Sequence, residues 1–205
     1  ANNNKYYSND KGILSIMYHR FNENKYPSTN ISMEIFKKQI DLIQEEKISF
    51  LHPNDFKLNF NIPKLEKKVL LTIDDGFTSF YKNAWPILKE KKIPFLLFVS
   101  TREVGNYGYM TWDNIREVAA SELATIGNHS HSHEYMIDWE DKNIKLDLEN
   151  SIKIFKKELG YSPKMFSYPH FYHRLSRKLF DLQELPTAFH GFLTALILLI
   201  EFDGQ

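Results

Sequence analysis

Short apolar runs alternate along the chain with longer segments that have the period of a helix. The runs occupy residues 13–17, 69–73, 95–99, 123–126 and 165–168, and nearly every position in them is apolar. Runs this short and this uniformly apolar are typical of strands that are covered on both faces, as in a parallel sheet. The pattern therefore predicts a buried parallel sheet.

Two segments between the runs have the spacing of amphipathic helices. In residues 32–46 and 141–159, apolar side chains recur at intervals of about one helical turn. Ser32 can cap the first helix by accepting a backbone hydrogen bond, and Gly160 can end the second in a left-handed turn. Both segments therefore predict helices with defined ends.

A third helical segment, residues 78–90, contains Pro86, which predicts a kink or an early stop. Residues 22–30 and 54–68 carry proline, asparagine and lysine, and we interpret them as loops rather than domain boundaries. The alternation of strands and helices predicts an α/β fold whose helices cover a parallel sheet, either open or closed into a barrel. Chemistry is then expected at the carboxyl ends of the strands.

Composition narrows the function classes. The chain has 205 residues, of which 42% are hydrophobic and 25% charged, as in a folded globular protein. Because 26 Lys and Arg residues balance 26 Asp and Glu residues, no overall charge draws the protein to nucleic acid. With no cysteine, disulfides and thiolate metal sites are excluded, and a metal would be held by His, Asp, Glu or backbone oxygen.

Targeting signals are sparse. The chain opens with Ala1 and a polar run, as a mature protein after signal removal or a trimmed chain would. The apolar run at residues 189–202 is interrupted by polar residues and is shorter than the roughly 20 residues that a membrane-spanning helix needs. We therefore interpret this run as a buried segment and predict no transmembrane segment.

Two adjacent carboxylates follow the second apolar run. In the sequence TIDDG, Asp74 and Asp75 come at the end of a buried strand. Adjacent carboxylates there are costly unless they are paired, protonated or bound to a cation, and Gly76 permits the sharp turn that would expose them. A DDG sequence on its own is also consistent with a polar turn in which Asp75 caps the following helix.

Alternate histidines follow the fourth apolar run, in the sequence HSHSH. One helical turn would put His129 and His133 on the same side, within reach of one ion, whereas an extended segment would group His131 with them. Such a turn can also be a solvated polar loop. Asp75 at another strand end completes a set that suits Zn²⁺ or another first-row divalent ion, and it leaves Asp74 as a base.

These two motifs resemble those of the polysaccharide deacetylases, the NodB-homology family, also called carbohydrate esterase family 4. TIDDG is similar to the family's TFDDG motif, and HSHSH is similar to its H-(S/T)-x-x-H motif. The resemblance implies a metal ion held by Asp75, His129 and His133. It also implies that Asp74 is the general base and that the fold is a NodB-like distorted (β/α) barrel with parallel strands.

The segment MYHR, directly after the first apolar run, looks like the start of the exopolysaccharide and poly-N-acetylglucosamine deacetylases within this family. This similarity implies that the partner is an acetylated polysaccharide or glycan. His19 and Arg20 in this segment either border the site or have a structural role.

The sequence FSYPHF resembles the family's third motif, Arg-x-Pro-Tyr-Gly. Ser167 stands where many members have Arg, and Phe171 stands where Gly is expected. The resemblance implies that the backbone N–H of His170 stabilises the oxyanion. It also makes Tyr168 and Pro169 candidate substrate-binding residues.

An aromatic loop, residues 107–112, follows the third apolar run. Tyr109 and Trp112 in this loop are candidates for stacking on the faces of sugar rings, although aromatic side chains more often fill cores. We therefore consider both a substrate-binding role and a packing role for these two residues.

The resemblance is strongest over residues 13–169, and we interpret residues 1–205 as a single catalytic domain. After residue 169 the family's late motifs, including the histidine that acts as general acid, have no clear counterpart. The tail differs in composition from the preceding sequence, which indicates a C-terminally truncated or altered chain and a barrel that is incomplete there. The general acid stays unassigned, with His190 considered either for this role or as a core histidine.

The resemblance implies a hydrolase that removes N-acetyl groups, in preference to O-acetyl groups, from a polysaccharide or glycan. It implies a divalent ion, with zinc favoured over cobalt, nickel, manganese and iron, and an extracytoplasmic location rather than a cytoplasmic one. A catalytically inactive glycan-binding domain of the same fold is the alternative, and an intracellular metal amidohydrolase with a small substrate is a third hypothesis. The sequence leaves the oligomeric state open.

Overall fold

The computed structural model describes residues 13–56, residues 68–170 and the backbone of residues 197–199. The strands in these parts are β1 (Ile13–Tyr18), β2 (Arg20–Phe21), β3 (Asn30–Ile31), β4 (Ser49–Phe50), β5 (Lys68–Ile73), β6 (Phe95–Val99), β7 (Ala124–Asn128), β8 (Met165–Ser167) and β9 (Ile197–Leu199). The α-helices are α1 (Met33–Glu45), α2 (Trp85–Glu90), α3 (Trp112–Ala119) and α4 (Asp141–Leu159).

A parallel sheet runs through the molecule in the order β1, β5, β6, β7 and β8. β1 pairs with β5 along its full length, from Ile13 opposite Lys68 to Tyr18 opposite Ile73. The other edge of β5 pairs first with β4 and then with β6. These strands confirm the apolar runs as parallel strands, and their carboxyl ends meet at one edge of the sheet.

The two amphipathic helices are confirmed. α1 begins after Ser32, whose Oγ accepts a backbone N–H of the first turn at 3.2 Å. The inner face of α1 buries Phe36, Ile40 and Ile43. α4 is followed by Gly160 with φ of 80°, the left-handed conformation that its position predicts.

The third predicted helix is present but irregular. Residues Phe80–Ala84 form a π-helical turn, and α2 follows directly with Pro86 in its first turn. Because Pro86 has no backbone N–H and its ring displaces the preceding turn, the regular hydrogen-bond ladder is interrupted here. The predicted interruption is therefore a π turn before the proline, and the helix continues beyond it.

Helix α3 has no counterpart among the predicted elements. Thr111 Oγ1 accepts the N–H of Asn114 at 3.3 Å, and Asn114 Oδ1 accepts the N–H of Thr111 at 3.1 Å. This reciprocal cap satisfies two N–H groups that the first turn would otherwise leave without acceptors. Trp112 is therefore the first residue of a helix rather than part of the aromatic loop.

Both faces of the sheet are buried at β5 and β6, as the apolar runs predict, whereas the edge strand β1 leaves Leu14 and Met17 exposed. On one face, Leu71 of β5 belongs to the larger core cluster together with Phe36 of α1 and Phe155 of α4. Leu70 points to the opposite face, since side chains alternate along a strand, and joins a smaller cluster with Phe98. This two-sided core fixes the strands whose ends carry the site.

The predicted loop at residues 22–30 joins β2 and β3, which pair in parallel as a small second sheet. The backbone N–H of Glu23 donates to Asn30 Oδ1 at 2.7 Å and closes this loop. Most of the other predicted loop, residues 54–68, lies outside the described residues.

β9 lies antiparallel to β8, with Ser167 opposite Ile197. The parallel order therefore holds from β1 to β8, and β9 adds an antiparallel strand. The buried segment predicted at residues 189–202, apart from the backbone of β9, and the role of His190 lie outside the described residues. Within the described ranges, no helix has the length and apolar character needed to cross a bilayer.

Candidate metal centre and catalytic site

Three side chains converge at the carboxyl edge of the sheet. Asp75 follows β5, and His129 and His133 follow β7. Asp75 Oδ1 lies 2.8 Å from His133 Nε2 and 3.3 Å from His129 Nε2. One ligand atom from each residue lies within 4.8 Å of the others. A carboxylate and two imidazoles at these distances form a candidate site for a divalent cation.

The orientation of His129 fits that of a metal ligand. Its Nδ1 lies 2.8 Å from the backbone carbonyl oxygen of Ser167 in β8. Because a carbonyl only accepts, Nδ1 donates the proton, and the lone pair of the neutral imidazole is on Nε2, on the side of Asp75. A hydrogen bond to the second ring nitrogen is the usual way in which proteins orient metal-binding histidines.

The carboxylate of Asp75 lacks an aligned hydrogen-bond donor. Its Oδ1 is buried and makes no aligned hydrogen bond within the described residues, although both imidazoles are in close contact with it. These three ligand atoms are close together but not aligned as hydrogen-bond partners, which is the arrangement expected around a shared metal ion. A cation bound between the three groups would have all three ligand atoms pointing at it.

Electrostatic interactions couple the carboxylate to the histidines. Burial alone would raise the pKa of Asp75, but the contacts with His129 and His133 outweigh burial and hold that pKa well below its usual range. Burial alone would lower the pKa of His129, but the contact with Asp75 and the charge of Asp74 raise it. The centre of the site is therefore an ionised carboxylate, the form that binds a metal ion.

Asp74 lies beside this cluster and is almost completely buried, with 3% of its surface exposed. Burial raises the pKa of Asp74, and the nearby charges of His129 and His19 oppose that rise. Its Oδ1 has no hydrogen-bond partner in the part of the chain that the structure describes. A buried carboxyl group with an open oxygen and a raised pKa has the properties of a general base.

A tight turn places the two aspartates. Asp75 and Gly76 both have left-handed backbone conformations, with φ of 73° and 71°. Glycine adopts this conformation readily, and aspartate tolerates it better than most residues. The N–H of Asp74 donates to Tyr18 O at 2.8 Å, and the N–H of Met110 donates to Gly76 O at 2.9 Å. Because the turn is tied to its neighbours on both sides, the Asp75 side chain faces the histidines.

Arg20 braces this turn from outside. Its guanidinium lies 3.4 Å from the ring centroid of Phe77 and 4.0 Å from that of Tyr26. Its Nη1 pairs with Glu23 Oε2 at 2.7 Å. These contacts give Arg20 a structural role next to the turn.

The HSHSH segment, which we name the histidine loop, has neither of the two conformations considered for it. Ser130 and His133 have left-handed φ values of 70° and 56°, so the segment is neither a helical turn nor an extended strand. The loop directs His131 away from the cluster, with its Nδ1 2.9 Å from Thr101 Oγ1. His129 and His133 therefore meet without His131.

The third motif lies at the same edge of the sheet. His170 follows β8 with φ of 53°, and its ring centroid lies 4.8 Å from that of His133. The ring of Tyr168 packs edge-on against Phe166 at 4.7 Å, and Pro169 is buried. The last residue of the motif lies outside the described residues. His170 is therefore adjacent to the candidate metal site, and its oxyanion role stays a prediction.

Tyr109 and Trp112, the two candidate residues of the aromatic loop, lie in different surroundings. Tyr109 packs against Phe77 with centroids 4.8 Å apart, and its pKa is raised by burial and then by the charge of Asp75. Trp112 packs edge-on against the buried Phe155 at 5.8 Å. Tyr109 therefore borders the site, whereas Trp112 packs with the core.

Two further side chains act on residues of the site. His19 directly follows β1, and its charge acts on Asp74. Asp147 of α4 accepts backbone hydrogen bonds from the histidine loop. The MYHR segment signals His19, but no local pattern marks Asp147, because its two partners lie 16 and 15 positions earlier in the chain.

Gly127 of β7 is expected to tolerate no side chain. A Cβ atom at this position would lie 2.4 Å from Cδ1 and 2.5 Å from Cε1 of the buried Phe98. Since the Phe98 and His129 ring centroids are 6.1 Å apart, displacement of Phe98 would also disturb His129. We expect Gly127→Ala to lower the free energy of unfolding by about 1–3 kcal/mol, as measured by denaturant titration.

Thr125→Ala is the matched control in the same strand, because Thr125 is only partly buried. Its free energy of unfolding is expected to stay within about 0.5 kcal/mol of the parent value. If Gly127→Ala were as stable as the parent, the packing of Phe98 against this strand would be contradicted.

A match to a known protein family agrees with the geometry of the site. A family model described as polysaccharide deacetylase matches residues 61–180, which is more than half of the chain. This match includes the turn with Asp74 and Asp75, the histidine loop and the third motif.

Two curated relatives carry related names. The putative polysaccharide deacetylase YxkH of Bacillus subtilis is 24% identical over 156 residues, which cover 75% of this chain and 55% of the relative. The poly-beta-1,6-N-acetyl-D-glucosamine N-deacetylase of Staphylococcus aureus is 27% identical over 157 residues, which cover 69% of this chain and 53% of the relative. The chain spans about half the length of the curated relatives it matches.

Solved structures agree with the fold. The structure of IcaB from Ammonifex degensii is similar with a TM-score of 0.73 and 28% identity, and the match covers 84% of this chain and 81% of that chain. The Streptococcus pyogenes deacetylase PplD in complex with acetate has a TM-score of 0.69 and 20% identity, with the same coverage of both chains. These similarities confirm a curled parallel sheet with helices, as in the NodB-like (β/α) barrels. Since the motifs, the fold and the family model agree, the chain belongs to the polysaccharide deacetylase family.

Proposed function

We propose that this chain is a metal-dependent N-deacetylase whose substrate is an acetylated polysaccharide, with β-1,6-linked poly-N-acetylglucosamine as the first candidate. The observation that carries the proposal is the buried Asp74 beside the cluster of Asp75, His129 and His133. Family membership and the printed activity of the Staphylococcus aureus relative support it.

The proposed reaction is hydrolysis of an acetamide. The oxygen of a water molecule bonds to the carbonyl carbon, the carbon–nitrogen bond breaks, and acetate and a free amine result. A divalent cation held by the three ligands would supply Lewis-acid polarisation of the carbonyl and make water more acidic. We infer zinc, because one carboxylate and two imidazoles suit it, with cobalt, nickel, manganese and iron as alternatives.

Asp74 takes the proton from the attacking water. Burial raises the pKa of this carboxyl group and so increases its basicity, while the charges of His129 and His19 limit the rise. Its Oδ1, which has no partner among the described residues, is available to accept the proton. A raised but limited pKa suits a base that acts near neutral pH.

Negative charge develops on the carbonyl oxygen as water attacks, and backbone N–H groups commonly stabilise it. We retain the N–H of His170 for this role because His170 lies against His133, a proposed metal ligand. Tyr168, Pro169 and Tyr109 are retained as substrate-binding residues at the same edge of the sheet. Trp112 packs on Phe155, which favours the packing role for it.

The leaving nitrogen needs a proton, and we propose His19 as its donor. The N–H of Asp74 donates to the carbonyl of Tyr18 at 2.8 Å, so His19 follows a residue that is tied directly to Asp74. The charges of His19 and Asp74 also interact. Histidine is the side chain that most often performs such proton transfers.

His19→Ala is expected to lower kcat for acetamide hydrolysis about 100-fold, because the amine would depart without a proton donor. An aryl acetate ester should lose far less activity, since a phenolate leaves without needing a proton. Steady-state hydrolysis of both substrates measures the difference. His52→Ala is the control, because His52 contacts Glu122 O at 2.8 Å near the start of β7, away from the site. Equal losses with both substrates would contradict the proposed role.

Acetate release from β-1,6-linked N-acetylglucosamine oligomers tests the function itself. With zinc or cobalt added, we expect acetate and free amines to appear together, and a chelator should stop both. Chitin oligomers and O-acetylated oligomers, used in parallel, test the linkage and the bond type. Binding without release would favour an inactive glycan-binding domain, and release only from small acetamides would favour an amidohydrolase with a small substrate.

We extend the proposal to an extracytoplasmic location, where an exopolysaccharide substrate is found. We also treat residues 1–205 as one catalytic domain, because the described strands form one main sheet and the ends of these strands supply all of the proposed site residues except Tyr109. No nucleic-acid partner is proposed.

A further inference from the structure

Three backbone N–H groups of the histidine loop donate to acceptors at the strand ends or within the loop itself. The N–H of His129 donates to Val99 O at 3.0 Å, and the N–H of Ser130 donates to Asn128 Oδ1 at 2.9 Å. The N–H of His133 donates to Ser130 Oγ at 3.0 Å. These bonds fix the first and last residues of the loop.

The two central N–H groups of the loop both depend on one distant side chain. Asp147 Oδ1 accepts from His131 at 2.7 Å, and Oδ2 accepts from Ser132 at 2.9 Å. Asp147 lies on the inner face of α4 and is 6% exposed. Hydrogen bonds to an ionised carboxylate are roughly twice as strong as neutral ones, so this is the strongest kind of backbone anchor available to a loop.

Helix α4 presents a polar stripe to the loop where an amphipathic helix normally presents apolar side chains. Ser151 lies one turn after Asp147 and is also buried. Its Oγ accepts from Asn128 Nδ2 at 2.7 Å, and Asn128 in turn accepts from Ser130. α4 therefore holds the loop at two points, its start through Ser151 and its middle through Asp147.

We propose that Asp147 is a positioning residue that sets the placement of His133 relative to Asp75, and thereby the affinity of the site for a divalent ion. This inference rests on the proposed metal centre. His133 has φ of 56°, a conformation that is costly for a residue other than glycine and persists only where the surroundings impose it. The two hydrogen bonds to Asp147 impose it, because they fix the two residues that precede His133.

Cobalt binding to Asp147→Asn tests the proposal. The asparagine side chain has nearly the same volume, but it offers one acceptor oxygen and turns an NH2 group towards the other backbone N–H. We expect the affinity for Co²⁺ to fall about 10–100-fold, which is the usual loss when a residue that holds a metal ligand in place is removed. The visible absorption spectrum of the bound cobalt should change as well, because it reports the ligand geometry.

Glu149→Gln is the matched control. Glu149 lies on the same helix but is 59% exposed, and it pairs only distantly with Lys145, at 3.8 Å. The control removes one negative charge from α4, as Asp147→Asn does, and should keep the parental affinity and spectrum. Asp147→Ala should weaken cobalt binding at least as much as Asp147→Asn, and the asparagine variant carries the test if the alanine variant does not fold.

Unfolding of the metal-free proteins separates a positioning role from a purely structural one. If Asp147→Asn lowered the free energy of unfolding but kept the parental cobalt affinity and spectrum, the positioning role would be overturned. If the parent bound no cobalt at all, the metal centre itself and the proposed function would be overturned together. The two failures are therefore distinguished by the parent protein alone.

Discussion

Asp74→Asn is expected to lower kcat for acetamide hydrolysis by about 10²–10⁴-fold while metal uptake is retained. The asparagine side chain keeps the shape of the buried aspartate but cannot take a proton from water. Asp75, His129 and His133 are unchanged in this variant, so the ligand set is complete. Acetate release measured beside cobalt titration separates the two effects.

Asp41→Asn is the control for this variant, because Asp41 is an exposed aspartate of α1 that pairs with Lys91 at 2.9 Å, outside the site. It should release acetate at the parental rate. Near-parental release by Asp74→Asn would place the base elsewhere, and loss of cobalt binding in the same variant would mean that Asp74 also holds the ion.

His129→Ala and His133→Ala are each expected to weaken metal binding by at least about 100-fold. Loss of a partner outside the ligand set costs up to about 100-fold, and loss of a ligand itself removes a direct bond to the ion. Asp75 Oδ1 lies within 3.3 Å of both imidazoles, so each histidine supplies one of the three converging ligand atoms. Zinc content after dialysis, together with cobalt titration, measures the loss.

His131→Ala is the matched control within the same loop. The ring of His131 contacts Thr101 rather than the cluster, and its backbone N–H is kept in the variant. Parental metal uptake is therefore expected. If His131→Ala lost the ion while His133→Ala kept it, the ligand set would be wrong. If all three variants kept it, the metal centre would lie elsewhere.

Much of the fold follows from local patterns in the sequence. β5 and β6 are short apolar runs with both faces buried, so their length and uniform apolar character indicate strands. Ser32 begins one helix and Gly160 ends another by local backbone chemistry, which a few neighbouring residues determine. Helix α3 has an equally local signal, the reciprocal cap of Thr111 and Asn114, but aromatic residues at its start resemble a loop.

The convergence of Asp75 with the two histidines was predictable for a different reason. Parallel strands bring their carboxyl ends to one edge, so motifs that follow β5 and β7 must meet there. Spacing alone could not decide which histidines meet, because the choice depends on the left-handed conformations of Ser130 and His133. The conformation of His133 is the one that we propose to depend on Asp147, whose hydrogen bonds span 15 and 16 positions and leave no periodic trace in the sequence.

The contact that orients His129 comes from the main chain of Ser167 and not from its side chain. Any amino acid at this position that keeps β8 in register would present the same carbonyl oxygen. Substitutions at residue 167 therefore leave the orientation of the His129 imidazole unchanged. The buried side chain at residue 167 can therefore change, within the space available to it, while the acceptor for the His129 N–H is kept.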